Sequence, residues 1–253
     1  MVLSMDRWKG KVAIVTGASA GIGEAITDAL VEEGVIVVGV ARNIETLEAK
    51  SKTLTGKKGK LHPIKGDFSR EGDILKVFEW TSKNLGPVHI LINNAAASNQ
   101  TTLMDGKTED WKSVFDLNVI GLCIATREAV KIMKENKING HIIHINSVLG
   151  HQVVNVPRIN VYPASKFAVT ALTETLRQEL NHLGLKIKIS DVSPGFVATR
   201  RTTFAKDLTP ERKAFYENKP AVNSEDIADG VIYALSTPEH VQVHELMIRP
   251  FGP

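Results

Sequence analysis

The chain has 253 residues, a formal net charge of +3, and 43% hydrophobic and 23% charged residues, a balance that is ordinary for a soluble globular protein. Its basic cluster is lysine-rich and lacks interleaved aromatic residues, so no nucleic-acid partner is expected. The single cysteine, Cys123, excludes a disulfide framework and is predicted to be a buried thiol. Without an apolar leader or a stretch of ~18 apolar residues, the protein is expected to be cytoplasmic and to lack an integral membrane segment.

The first unit is a short apolar run, Lys11–Thr16, followed by a glycine-rich turn and by Glu24–Glu33 at helical spacing. A second apolar run, Val35–Ala41, comes directly after the helix. This order is typical of a dinucleotide-binding fold, where backbone N–H groups at the helix N-terminus bind a pyrophosphate. The G-x3-G-x-G spacing differs from the usual G-x-G-x-x-G, and the absence of Gly-Lys-Ser/Thr disfavours a nucleoside-triphosphate loop. The cofactor-binding residues predicted in the turn are Gly17, Ser19, Gly21, Ile22 and Gly23.

Arg42 follows the second strand, at the position where NAD-specific folds usually carry an acid that binds the ribose 2′-OH. The next acid in the chain is Glu45. A guanidinium at this position can form charge-assisted, bidentate hydrogen bonds with a 2′-phosphate. The alternative is a surface arginine in a turn. Since the acid is missing, the sequence favours NADP(H) over NAD(H) as the cofactor.

Strands and helices continue to alternate along the chain. Four further strands are predicted, at Leu61–Asp67, Val88–Ile92, His141–Ser147 and Lys186–Val192. Two helices are predicted between them, at Glu71–Leu85, with Ser69 as its cap, and at Asp110–Val130, with Trp111, Val114, Phe115, Leu117 and Val119 mostly in the core. The predicted fold is α/β: residues 1–253 form a single dinucleotide-binding and catalytic domain with a doubly wound, Rossmann-type parallel sheet and helices on both faces.

Polar or glycine residues follow several of the predicted strands. They are Gly17, Arg42, Asp67, Asn93, Ser147 and Gly195. Open parallel sheets bind ligands along the carboxyl edge, although each of these residue types except arginine also favours turns. No G-x-S-x-G motif surrounds Ser147, which argues against an α/β-hydrolase. The histidines lack metal-ligand spacing, so His141 and His144 are interpreted as structural and no metal site is expected.

Tyr162 and Lys166 are four residues apart at the start of a segment with helical spacing, so they share one helix face. A free tyrosine has a pKa of ~10. A fixed ammonium beside the phenol favours the phenolate, which lets the residue work as an acid or base closer to neutral pH. The alternative is a pair of surface residues on an amphipathic helix, because Tyr-x3-Lys alone occurs often by chance.

The chain resembles the short-chain dehydrogenase/reductase family over nearly its whole length, through the joint order and spacing of several motifs. These are Thr16-Gly17-x3-Gly21-Ile22-Gly23, Asp67, Asn93-Asn94-Ala95, Asn118, Ser147, Tyr162-x3-Lys166, and Pro194-Gly195 with Thr199. Ala41-Arg42-Asn43, residues 173–180 and the ending Glu245–Pro250 are similar to insect farnesol dehydrogenases and related 17-beta-hydroxysteroid dehydrogenases. Ala96, where the family usually has glycine, and a slightly longer Ser147–Tyr162 interval depart from the pattern.

The resemblance implies that Tyr162 is the acid in carbonyl reduction and the base in alcohol oxidation. It also implies that Lys166 lowers the pKa of Tyr162 and binds the nicotinamide ribose, that Ser147 holds the substrate oxygen, and that Asn118 supports a water relay. Further cofactor contacts are implied for Asp67, Phe68, Asn94, Ala95, Pro194, Gly195, Val197 and Thr199. A homodimer or homotetramer, built through the helix that carries Lys166 and the helix before it, is implied as well.

Two other functions are open to the sequence. A catalytically silent NADP-binding sensor or scaffold of the same fold could lose Asn118, Ser147, Tyr162 and Lys166 freely, so the complete set argues against it. A nucleotide-sugar epimerase with a similar Tyr/Lys pair needs a larger C-terminal substrate domain than the about sixty residues that follow Pro194.

Two segments are predicted to line the substrate mouth. Residues 148–161 offer Leu149, Val153, Val154, Val156 and Ile159, and residues 196–220 offer Phe196, Val197, Phe204, Phe215 and Tyr216. Apolar walls with few polar groups suit a hydrophobic ligand, and Arg158 is the one cation of the first segment. The charged second segment predicts a surface lid at about 196–220. The predicted substrate is a lipophilic secondary alcohol or ketone, or an allylic isoprenoid alcohol or aldehyde, with farnesol- and steroid-like compounds as leading candidates.

Overall fold

The computed structural model describes residues 3–199, 209–216 and 219–252, and within them seven strands form one sheet in the order β3-β2-β1-β4-β5-β6-β7. Every neighbouring pair in this sheet is parallel. The strands are β1 Val12–Thr16, β2 Ile36–Ala41, β3 Lys60–Lys65, β4 Val88–Asn93, β5 His141–Ile145, β6 Lys188–Pro194 and β7 Glu245–Ile248. The order reverses between β1 and β4, and a parallel sheet opens a ligand crevice at the carboxyl ends of such strands.

Helices cover both faces of the sheet. They are α1 Gly21–Glu32, α2 Ile44–Thr53, α3 Glu71–Leu85, α4 Thr108–Phe115, α5 Leu122–Glu135, α6 Tyr162–His182, α7 Pro210–Tyr216 and α8 Ser224–Ser236. Ala13 and Val15 of β1 pack into a core with α1 and α8, whereas Val12 and Ile14 pack into the opposite core with α3, α5 and α6. Successive strand residues point to opposite faces, so a strand buried on both sides is apolar throughout. The predicted doubly wound Rossmann-type sheet is confirmed.

Several local predictions need correction. The predicted helix Asp110–Val130 is two helices, α4 and α5, joined by a π-helical turn at Asp116–Gly121. Of the five apolar residues expected in its core, Val114 is fully buried and the other four are half-buried, namely Trp111, Phe115, Leu117 and Val119. Ser69 does not cap α3: the N-cap is Arg70, and Ser69 instead hydrogen-bonds Asp67. Cys123 is half-buried rather than buried.

Strand ends and the sheet edge also differ from the prediction. β3 ends at Lys65 and β5 at Ile145, so Asp67 and Ser147 lie in the turns that follow these strands. β7 was not predicted because it is a four-residue edge strand with only three consecutive apolar residues, whose side chains alternate between exposed and half-buried. In the part of the chain that the structure describes, no helix is long and apolar enough to cross a membrane.

Candidate active site

An open cleft of about 1530 Å³ runs along the carboxyl ends of the strands. It brings together most of the residues that the sequence predicted for the cofactor and the chemistry. The predicted residues on its wall are Gly17, Ser19, Gly21, Ile22, Arg42, Asp67, Phe68, Asn94, Ala95, Ser147, Tyr162, Lys166, Pro194, Gly195, Val197 and Thr199. The predicted residues Gly23 and Asn118 do not line the cleft but contact residues that do: Gly23 packs against Gly17 and Asn94, and Asn118 hydrogen-bonds Ala97.

The glycine turn between β1 and α1 is shaped by backbone conformation and by close packing. Gly17 and Gly21 have φ angles of +68° and +59°, in the left-handed region that glycine adopts without strain. A Cβ on Gly23 would overlap the carbonyl oxygen of Gly17 and the side-chain amide of Asn94. The turn therefore packs tightly on itself and leaves the N-terminus of α1 open to the cleft, where backbone N–H groups favour an anion.

Thr16 links this turn to the end of β4, a role that no local sequence pattern indicates. Its hydroxyl accepts hydrogen bonds of 2.9 Å from the backbone N–H groups of both Asn94 and Ala95. The Asn94 amide donates in return to the carbonyl oxygens of Thr16 at 2.8 Å and Gly17 at 3.2 Å. Asn93, which was expected at the ligand edge, points away from the cleft and donates to Thr126 Oγ1 at 3.0 Å.

Arg42 lies exposed on the cleft wall directly after β2. Burial opposes ionisation of the nearby Asp67, but hydrogen bonds from the backbone and hydroxyl of Ser69, followed by the charges of Arg42 and Arg70, lower its pKa. Asn43 caps α2 by accepting a hydrogen bond from Glu45 N at 3.1 Å. Glu45 is not among the residues that line the cleft. A cation therefore occupies the end of β2 that faces the cleft.

Lys166 is held inside the cleft by the strand that precedes Ser147. The residue is 3% exposed, and its ammonium donates a hydrogen bond of 2.8 Å to the carbonyl oxygen of Ile145. The same nitrogen lies 5.8 Å from the centre of the Tyr162 ring. Ser147 Oγ, two residues beyond Ile145, accepts a hydrogen bond of 3.1 Å from Leu149 N. A phenol, an ammonium and a hydroxyl thus share one pocket.

The loop before Tyr162 fixes where α6 begins. Asn160 has φ +45°, a left-handed conformation that asparagine tolerates, and its amide donates to Asn99 O and to Thr101 Oγ1. Pro163 occupies the first turn of α6, where its missing N–H costs no helical hydrogen bond. These contacts place Tyr162 at the helix start, facing the cleft.

Asn118 lies in the π-helical turn and hydrogen-bonds residues of the loop after β4 and of α6. Its Oδ1 accepts a hydrogen bond of 2.6 Å from Ala97 N, and its Nδ2 donates to Ala97 O at 2.9 Å and to Ser165 Oγ at 3.0 Å. The side chain is 2% exposed. It therefore links the loop after β4 to α6, next to Lys166.

The distal end of the cleft is largely apolar. Leu149, Val154, Val156, Ile159, Phe196, Val197, Phe215 and Tyr216 line it as predicted. Val153 does not, because it is 73% exposed on the outside of the loop. Phe196 stacks on Tyr216 with ring centres 4.7 Å apart, and Lys219 Nζ lies 3.7 Å above the Phe215 ring. Part of the predicted lid, residues 200–208 with Phe204, and residues 217–218 lie outside the described residues.

The short chain dehydrogenase family profile matches residues 11–209 of this sequence. The chain belongs to the short-chain dehydrogenase/reductase family. It is 47% identical to the farnesol dehydrogenase of Aedes aegypti over 251 residues, covering 98% of this chain and 99% of that one. It is also 45% identical to human dehydrogenase/reductase SDR family member 11, covering 97% and 96% of the two chains.

Solved structures of short-chain dehydrogenases agree with this assignment. A dehydrogenase/reductase from Mycobacterium marinum superposes with a TM-score of 0.86 at 26% identity, covering 96% of this chain and 95% of that one. A metagenomic short-chain oxidoreductase, solved in complex with NADP, superposes with a TM-score of 0.81 at 26% identity, covering 97% and 99%.

The cleft also contains residues that the sequence did not reveal. Asn99, Gln100 and Arg249 line the wall, and Gln100 Oε1 accepts a hydrogen bond of 3.1 Å from Thr209 N. They lie in loops whose path depends on tertiary contacts, and no local pattern marks them.

Both buried histidines of β5 contact hydroxyl groups in the core. His144 Nδ1 lies 2.9 Å from Thr173 Oγ1, and His141 Nε2 lies 2.9 Å from Ser190 Oγ. Burial lowers the pKa of each imidazole to about 3, so both are neutral at neutral pH. The described part of the chain contains no cluster of His, Cys, Asp or Glu that could hold a metal ion.

Proposed function

We propose that this protein is an NADP(H)-dependent oxidoreductase that transfers a hydride between nicotinamide and a lipophilic alcohol or carbonyl compound. The observation that carries the proposal is the buried Lys166 ammonium, which lies 5.8 Å from the centre of the Tyr162 ring. Both residues line the same cleft as the glycine turn. A cofactor-binding turn and a proton donor with an adjacent cation are the two parts that carbonyl reduction requires of the protein.

The cofactor would be held along the inner half of the cleft. Left-handed glycines at 17 and 21 free the helix N-terminus for a pyrophosphate, and Thr199 packs against Gly21. Arg42, with no cleft-facing acid at the end of β2, would pair with a 2′-phosphate. The structurally similar metagenomic oxidoreductase was solved in complex with NADP, which supports the same choice. Lys166 would bind the nicotinamide ribose.

When bound, the nicotinamide would supply or accept the hydride. Tyr162 would give its phenolic proton to the carbonyl oxygen in reduction and take the proton from the hydroxyl in oxidation. Ser147 would hold the same oxygen through its hydroxyl. Lys166 would favour the phenolate of Tyr162 by charge. Asn118, hydrogen-bonded to Ala97 and Ser165, would keep the wall behind Lys166 in place and support a proton relay to solvent.

A lipophilic substrate would occupy the distal end of the cleft, between 148–161 and the lid at about 196–220. Leu149, Val154, Ile159, Phe196 and Phe215 provide an apolar lining there. The similarity to the farnesol dehydrogenase of Aedes aegypti supports an isoprenoid alcohol, and a steroid-like ketone is the second candidate. We further propose a single catalytic domain acting in the cytoplasm as a homodimer or homotetramer, with no nucleic-acid partner.

The second candidate function is a silent NADP-binding sensor of the same fold. The presence of Asn118, Ser147, Tyr162 and Lys166 around one cleft favours the enzyme. The deciding experiment is a panel of farnesol, straight-chain alcohols, steroid ketones and sugars, with oxidation or reduction of the cofactor followed by NADPH absorbance and fluorescence. Turnover of lipophilic members supports the enzyme, whereas NADPH binding without turnover of any member supports the sensor.

A further inference from the structure

A second polar cluster lies directly behind Ser147 and Lys166. It occupies the α6-facing side of the sheet across β5, β6 and β7, where Asp191 in the middle of β6 is in register with His144 and with Glu245, the first residue of β7. The Asp191 side chain is 3% exposed. A buried carboxylate is costly unless hydrogen-bond donors and an opposite charge compensate it, so the partners of Asp191 indicate what it does.

Asp191 holds the residue that precedes Ser147. Asn146 Nδ2 donates a hydrogen bond of 2.7 Å to Asp191 Oδ2, and a second one of 2.9 Å to Thr170 Oγ1 on α6. The backbone N–H of Asn146 donates to Val192 O at 2.8 Å. With its side chain and its backbone both fixed, Asn146 sets the direction in which the chain enters Ser147.

Asp191 is also linked toward the surface. Ser193 Oγ donates a hydrogen bond of 2.9 Å to Asp191 Oδ1. Because the Ser193 proton is used there, His151 Nε2 is the donor in its 2.9 Å contact with Ser193 Oγ, and it also lies 2.9 Å from Glu245 Oε1. The Glu245 side chain is 41% exposed, so the chain of contacts from Asp191 through Ser193 and His151 to Glu245 ends at the solvent.

The charges around Asp191 connect it to the proposed acid–base pair. Burial raises the pKa of Asp191, Asn146 and Ser193 lower it by hydrogen bonding, Glu245 raises it by repulsion, and Lys166 lowers it by charge. The other titratable or charged groups that face it are Arg177 on α6, the neutral His144 on β5 and His151 in the following loop. Lys166 Nζ is held on the carbonyl oxygen of Ile145, the residue before Asn146, and lies 5.8 Å from the centre of the Tyr162 ring. Its charge therefore acts on both the Asp191 carboxylate and the Tyr162 phenol.

We propose that Asp191 is a positioning residue for Ser147, Tyr162 and Lys166: its carboxylate anchors Asn146, and its negative charge opposes that of Lys166 at the Tyr162 ring. The inference rests on the proposed function for its catalytic meaning. Without the negative charge of Asp191, the positive charge of Lys166 stabilises the Tyr162 phenolate more strongly, so the pKa of Tyr162 falls. A purely structural aspartate would change stability or turnover without changing the ionisation of Tyr162.

The test reads Tyr162 directly, without a substrate. The chain has three tyrosines, so Tyr216→Phe and Tyr233→Phe leave Tyr162 as the only phenol, with the Phe196 stacking kept. The near-ultraviolet absorbance of the phenolate is then titrated with pH in the full-length protein. Asp191→Asn removes the charge and keeps the size of the side chain. Its hydrogen bonds can also be kept, because the Ser193 hydroxyl, which now donates to Asp191, can accept from the new amide. Asp191→Ser removes the same charge with a different shape and replaces Asp191→Asn if that variant does not fold.

We expect either neutral variant to lower the pKa of Tyr162 by roughly half a unit to one unit. Glu245→Gln, which removes a solvent-exposed charge from the next strand, should give less than half of that shift. An unchanged Tyr162 titration, or an equal shift in Glu245→Gln, would overturn the proposal. Absence of turnover with every alcohol and ketone would instead overturn the proposed function and leave this titration readable. If the protein oxidises an alcohol, the rate should fall at low pH as Tyr162 becomes protonated. In the Asp191 variants this fall should shift to lower pH by the same amount as the Tyr162 titration.

Discussion

Lys166 Nζ donates a 2.8 Å hydrogen bond to the carbonyl oxygen of Ile145, which joins the helix that carries Tyr162 to the strand that leads to Ser147. Ile145 and Lys166 are separated by 21 residues along the chain. The contact holds the ammonium in a buried position, from which its charge reaches the phenol with little solvent screening. The proposed acid and its cation are thus fixed by the sheet as well as by their spacing on α6.

Gly23→Ala should disrupt the cofactor turn, because the added Cβ would overlap Gly17 O and the Asn94 amide. We expect NADPH affinity to fall at least about tenfold, as a backbone shift at the helix N-terminus removes anion contacts. Gly72→Ala, on α3 with nothing within 4 Å of the added carbon, is the matched control. It should bind NADPH normally and raise the free energy of unfolding by up to about 1 kcal/mol. Equal binding by both variants would contradict the turn's role.

Arg42→Asp should change the cofactor preference. A charge-assisted pair with the 2′-phosphate contributes roughly 1.5–3 kcal/mol, or about one to two decades in affinity. The wild type should therefore prefer NADPH over NADH by that factor, and the variant should prefer NADH, as measured by the two dissociation constants. Arg127→Asp, the same charge change at an exposed site on α5, should leave the ratio unchanged. A wild type that uses both cofactors equally would contradict the NADP assignment.

The buried parts of the fold were predictable from the sequence because strands covered on both faces are continuous apolar runs. β1, β2 and β4 were placed within one residue for this reason, and α3 was predicted with the observed bounds Glu71–Leu85. β7 was missed because it is an edge strand whose apolar run, Leu246-Met247-Ile248, is short and only partly buried. The π-helical turn at Asp116–Gly121 was missed because it is defined by i→i+5 backbone hydrogen bonds, which no residue type in this segment marks.

The candidate site was predictable where chemistry depends on local spacing. Tyr162 and Lys166 share a face of α6, and Gly17 and Gly21 have the left-handed conformation that their turn requires. The roles of Thr16 and Asp191 depend on hydrogen bonds between strands that are distant in the sequence, and no local pattern encodes them. Asn93 illustrates the opposite error: it lies at the end of β4, within one residue of its predicted position, but its side chain faces the core and donates to Thr126.

Longer aliphatic substrates should be turned over more efficiently. Each methylene buried in the apolar end of the cleft should add up to ~0.8 kcal/mol of transition-state binding, which is about a fourfold rise in kcat/KM. A homologous series of primary and allylic alcohols measured with saturating NADP+ provides the slope. Ile159→Asn should reduce the slope without changing the NADPH dissociation constant. A flat response, or a preference for polyols, would contradict the lipophilic assignment.

Assembly should depend on the exposed face of α6. Phe167 is 42% exposed on this helix, and an aromatic residue of this kind gains stability when a second copy covers it. We expect light scattering at micromolar concentration to give a dimer or tetramer, and Phe167→Glu to give a smaller species. Leu75→Glu, at a 39% exposed position on α3, should leave the mass unchanged. A monomeric wild type would contradict the proposed assembly.

Tyr162→Phe tests the central claim most directly, because it removes only the phenolic oxygen. Turnover and NADPH binding should be measured on the same preparation, with Tyr233→Phe as the matched control that keeps full activity. We predict that Tyr162→Phe loses at least about 10²-fold in kcat while its NADPH dissociation constant stays within about twofold of wild type. A Tyr162→Phe protein that turns over at a near-normal rate would contradict the acid–base role of Tyr162 and the proposed mechanism with it.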